Sequence, residues 1–212
     1  MPPTPNRADE PLRKEFSLAA AVGFLDAAAL SWHKERKCFA CHSDYIYLMA
    51  RPVASSRAPV HNELRAALEH VAERPRAKLG KIGVTEAVMA AAVLASNDAA
   101  TSGRLHATTR KALDRMWTLQ REDGGFTWLK NSQPPSEVDD QYGATMAAIG
   151  AGVAPERYAD TPQARAGLDK IRRYLEDHPP ENLHHRAMRL LASRSVGGIM
   201  TEAQCGDVGE QF

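Results

Sequence analysis

The chain has 212 residues, 43% of them apolar and 25% charged, with 27 Lys and Arg against 26 Asp and Glu. That is enough apolar material for a sizeable core, and a formal charge of +1 leaves no basic excess to follow a phosphate backbone, which argues against a nucleic-acid partner. The longest unbroken apolar run, residues 87 to 95, is far below the roughly 20 residues of a membrane span, so no transmembrane segment is expected.

Residues 1–15 carry prolines at 2, 3, 5 and 11 and read as a flexible lead. Arg13 and Lys14, followed by an apolar stretch and Ala27-Ala28-Ala29, share features with a secretory signal. Helical spacing is the better reading. Phe16, Ala20, Phe24, Ala27, Leu30 and Ala21, Leu25, Ala28, Trp32 recur at steps of three and four, and Asp26 breaks the run where a signal stays apolar. Beyond it, small-residue helices are expected around Tyr45 to Ala50, Glu86 to Ala91, Tyr142 to Ala147 and Arg186 to Leu191. Their methionines, Met49, Met89, Met146 and Met188, lie 40, 57 and 42 residues apart, the scale of a helical repeat. More polar amphipathic stretches alternate with them: Asn62 to Glu73, His106 to Gln120 and Ala164 to Leu175. Asp123-Gly124-Gly125, Pro134-Pro135, Pro155 and Pro179-Pro180 mark the corners. Thr161-Pro162 reads as a helix start, and Asn182 as a cap. No stretch alternates with period two. The expectation is an all-α, two-layer helical repeat domain over residues 16–204, with 205–212 as a disordered tail.

The stretch from Lys111 to Trp128 ends a helix with Gln120, then Gly124 and Phe126, and it resembles the QW repeat of squalene-hopene cyclases and related prenyltransferases, with Phe where that family usually has Trp. In such a corner the Gln amide bonds polar groups at neighbouring helix ends and the aromatic ring packs on them. Trp32 to Met49, with Cys38-x-x-Cys41-His42, and Asn182 to Met188 resemble squalene cyclase-like repeat proteins that carry a CxxCH near the start. The resemblance implies an α/α toroid, here incomplete because the chain holds fewer repeats than that family's ring. An incomplete ring implies an open inner face for an apolar small molecule or a protein partner.

Three groups could carry chemistry. Cys38-x-x-Cys41-His42 matches the attachment signature of c-type haem, in which two thiols add to the porphyrin vinyls and the histidine ligates iron. Zinc fits less well, since Cys41 and His42 point different ways, and a redox pair would need a βαβ setting. The plain alternative is two small buried thiols beside a capping histidine. Met49, Met89, Met146, His184 and His185 are candidates for a distal ligand. A haem would place the protein in the periplasm or outside the cell, and its lack would suit the cytoplasm. Glu137-Val138-Asp139-Asp140 resembles the DxDD acid of class II terpene cyclases, in which Asp139 would protonate an alkene beside Asp140. The same residues make a helix start, Ser136-x-x-Asp139, and capping is the better reading; 6% aromatic content is also poor for a carbocation cavity. Cys205 reads as a free thiol. The sequence therefore favours a non-catalytic repeat scaffold, carrying c-type haem if the motif is used, over a terpenoid cyclase or a haem electron-transfer protein.

Overall fold

The computed structural model describes residues 7–9, 11, 14–36, 43–54, 58–74, 80–130 and 140–210, and among them every regular element is helical. The order is α1 (Leu18–Arg36), α2 (Asp44–Ala54), α3 (Pro59–Glu73), α4 (Gly80–Thr101), α5 (Ala107–Thr118), α6 (Asp140–Val153), a 3-10 turn (Tyr158–Asp160), α7 (Pro162–Asp177), α8 (Leu183–Ser193) and α9 (Glu202–Gly209). The local reasons are those of the sequence. The Thr161 hydroxyl accepts from the Ala164 N–H ahead of α7, with Pro162 in the first turn, and the Asn182 side chain accepts from the His185 N–H at 2.9 Å to start α8. One stripe of α7, Ala164, Leu168, Ile171 and Leu175, is buried while its charged face meets water.

The helices pack in two layers: one is α1, α3, α5 and α7, and the other α2, α4, α6 and α8, each helix touching its neighbours in that order. Asn97 of α4 donates to the Leu48 carbonyl of α2 and meets His61 of α3, which ties those three helices together at one point. Gly150 of α6 faces Ala92 of α4, while Leu129, next to the residue whose N–H meets Asp140, donates to Thr85. Tyr142 stacks on His184, and Gly152 faces Ser195 and Val196. α4, α6 and α8 of the second layer therefore run parallel. At Gly150 the two backbones are so close that an added Cβ would lie 2.5 Å from the Ala92 Cα, so only glycine fits there.

Three expectations change. Residues 87–95 of α4 and 141–151 of α6 are all buried, so those alanine-rich helices offer no open inner face. They pass close to one another and are enclosed by α2, α3, α5, α7 and α8. Exposed apolar side chains lie elsewhere, mostly along the first edge of the array: Phe16, Leu18, Phe24 and Leu25 in and before α1, Ile46 and Val53 on α2. α1 is helical as its spacing requires, yet only Ala29 of it is buried, because among the described residues it packs only on α2 and α3. Finally, residues 205–209 do not dissolve. Thr201 and Gln204 close a capping box at the start of α9, and Val208 is buried.

Candidate functional site

In sequence Cys38, Cys41 and His42 precede α2, Glu137 to Asp139 precede α6, and His184 and His185 lie in the opening turn of α8; α6 and α8 begin side by side at one end of the second layer, where Tyr142 stacks on His184. Cys38, Cys41, His42 and Asp139 lie outside the described residues.

The best-defined part of this end is the corner after α5. The Gln120 amide donates to the carbonyls of Gly124 and Gly167, both at 3.0 Å, and Phe126 and Trp128 are fully buried beneath it. One partner is in the corner itself, and the other belongs to the interior of α7 rather than to a helix end. The amide thus staples one repeat to the next. Gly124 has φ +95°, and a Cβ there would lie 2.2 Å from the Lys170 carbonyl oxygen, so this residue must be glycine. The turn is tightened by the Arg121 N–H donating to Gly125 and the Gly125 N–H donating to Asp123. The Arg121 guanidinium holds the Asp123 carboxyl below the ordinary carboxylate range.

Asp140 is the one described member of the acidic run. Its carboxylate accepts from Arg121 at 2.6 Å and from the Trp128 N–H at 3.3 Å. Both oxygens are acceptors from the preceding corner, while Ser136 and Asp139, the residues of the capping reading, lie outside the described residues. A group placed this way ties the corner to its helix.

The candidate distal ligands divide by location. Met89 and Met146 are buried in α4 and α6, and reaching iron would require those helices to part. His185 is spent locally, its Nδ1 accepting from the Glu181 N–H. His184 stacks on Tyr142, with ring centroids 5.7 Å apart. Met49 packs at the margin of the core, in the helix that follows the motif. Among the described residues no cluster of three His, Cys, Asp or Glu side chains is arranged to hold a metal ion.

Sequence reading missed a buried polar cluster at the opposite end. Arg65 donates to Asn97 at 2.7 Å, pairs with the fully buried Asp98 at 2.6 Å and bonds Glu69. Burial pushes the nearby His61 imidazole below its usual range. Ser102 Oγ lies 3.3 Å from His106 Nε2, and His106 Nδ1 lies 3.5 Å from Asp98. The order Ser, His, Asp is that of a hydrolytic relay. Arg65 rules against that use: its Nη2, always a donor, is 2.9 Å from the same Nδ1, which places the ring proton on Nε2. His106 then donates to Ser102 and cannot take its proton. The cluster closes α4, since Asp98 also accepts from the His106 N–H. Its two halves, Arg65 with Glu69 and residues 97 to 106, are tens of residues apart and share no motif, so nothing in the sequence marks them as neighbours.

No family model, curated protein or solved structure matches this chain.

Proposed function

We propose that the chain is a non-catalytic scaffold of the squalene cyclase-like kind, an α/α toroid-like array that binds a protein partner, with Cys38, Cys41 and His42 as the attachment site for c-type haem. The observation that carries the scaffold reading is the Gln120 corner, whose amide bonds the next repeat while Phe126 is buried below it. The parallel run of α4, α6 and α8 in one layer, backed by α1, α3, α5 and α7 in the other, supports the toroid assignment. A cyclase keeps a hollow for its substrate between such helices, whereas here residues 87–95 and 141–151 fill that space with their own side chains. Asp140, engaged by Arg121, adds nothing to a cyclase reading.

For the haem, the two thiols sit three residues apart with the imidazole directly after the second, which suits thioether attachment with a proximal histidine. Bound haem supplies a one-electron couple. Of the side chains considered for the far side of the iron, Met49 and His184 are compatible with the packing, and Met89 and Met146 are not. The test is production of the full chain with an export signal beside a cytochrome c maturation system. A Soret band that survives acid-acetone extraction, and is lost in Cys38→Ala with Cys41→Ala, is expected. A colourless parent protein with both thiols titratable refutes the haem assignment and leaves the scaffold reading standing.

A further inference from the structure

The two edges of the array differ. Six of the chain's exposed large apolar side chains gather on the first edge: Phe16 at 85% exposure, Leu18, Phe24, Leu25, Ile46 and Val53 at 87%. On α2 the exposed residues Ile46, Ala50 and Val53 form one stripe, opposite Leu48, whose carbonyl meets α4. Between residues 18 and 33 the only charged side chain of α1 is Asp26, and it turns inward to Arg51 at 2.7 Å and Tyr47 at 2.6 Å. At the other edge α9 packs on α8 and presents Glu202, Gln204, Asp207 and Glu210 to water. In a repeat array an apolar terminal face is an unfinished interface, and a polar one is a cap.

We propose that a second copy of this chain docks on the first edge, with α1 and α2 of each copy meeting their counterparts about a two-fold axis. The area suits it. The six large side chains are 45% to 87% exposed, a patch on the scale of the apolar part of one side of a standard interface, about 450 Å² in about 800 Å². Charge suits it as well. Between residues 18 and 33 no outward-facing Asp, Glu, Lys or Arg lies on α1 to repel a second copy, and beyond them Lys14 beside Glu15 and Glu35 between Lys34 and Arg36 give each end charges of both signs. Small residues among the large ones, Ala20, Ala21, Ala27, Ala28 and Ala50, permit close approach of helices, which a lipid surface does not require. The capped far edge leaves the same-face pairing as the closed solution, so association stops at two copies.

Light scattering on the full chain after size exclusion, over a hundredfold range of concentration, tests this. The parent should have the mass of two chains at the upper end, and Phe24→Glu with Val53→Glu should have the mass of one while keeping the parent's helical circular dichroism. Leu191→Glu, on the opposite edge, should remain paired. If the double variant fails to fold, Ala50→Arg alone should give the single-chain mass. A parent that is monomeric throughout, a double variant that stays paired, or pairing lost only in Leu191→Glu overturns the proposal. So does a monomeric parent that sediments with anionic phospholipid vesicles, which would assign the edge to a membrane surface.

Discussion

Replacing Gln120 with alanine removes both hydrogens that its amide places on the carbonyls of Gly124 and Gly167, each at 3.0 Å. A neutral hydrogen bond contributes about 0.5–1.5 kcal/mol net, and because Gln120 is half-buried, water recovers part of the loss, so a cost of about 1–2 kcal/mol is expected. For a chain of this size that lowers the melting temperature by about 3–6 °C. Gln120→Glu separates the donor from the shape of the side chain. At neutral pH it turns an acceptor toward two carbonyl oxygens and should melt below the alanine variant. On acidification toward pH 4 the carboxyl regains one hydrogen to donate, and its deficit against the parent at the same pH should shrink. Thermal melts followed at 222 nm read all of this. Coincident melts of parent and Gln120→Ala, or a Glu variant as stable as the parent at pH 7, would refute the staple.

Gly124→Ala combines a φ of +95° with a Cβ 2.2 Å from a backbone oxygen, and the backbone must move to admit it. It should therefore cost more than about 3 kcal/mol, above the Gln120→Ala loss, as read by urea unfolding; an equal or smaller loss would mean that the corner yields. Acid unfolding should begin in two steps of different origin. Desolvation lowers the His61 pKa below its value in the unfolded chain, so His61 supports stability above about pH 6.5 and loses that support as pH falls. The Arg51 hydrogen bond, aided by Tyr47, lowers the Asp26 pKa below 3.8, so its contribution is intact above about pH 4 and is lost only below. His61→Asn should flatten the decline between about pH 6.5 and 5 and leave the lower one in place. An unchanged profile in stability against pH would show that His61 does not drive the upper step.

The helices were legible because each carries its reason locally. The stripe of α7, the Thr161 and Asn182 caps, and the Pro and Gly corners are all short-range, and a short-range pattern survives in a single sequence. The Gln120 corner was legible as a motif, but its second partner, 47 residues away, was not. The reading failed where tertiary packing decides. Two glycines near Cys205 suggested a tail, and the helix there rests on a capping box and on one buried valine. An exposed alanine-rich face was inferred from repeat number, whereas burial depends on what surrounds α4 and α6, and they are enclosed on all sides. The Arg65 cluster joins residues whose separation in sequence reaches 41, and no spacing rule marks such a set.

The close approach of α4 and α6 at Gly150 and Ala92 also sets how the molecule moves. Two helices whose backbones touch cannot slide or bend without first losing contact along their whole length, and their interior amides are far from water. Proton exchange with solvent at residues 87–95 and 141–151 is therefore expected to require opening of the entire domain, and to be the slowest in the chain. α1 and α9, each held along one side, can detach separately and exchange by their own local opening. The protein then has a rigid axle with loosely hung ends, and the groups that could meet a partner are carried on the ends.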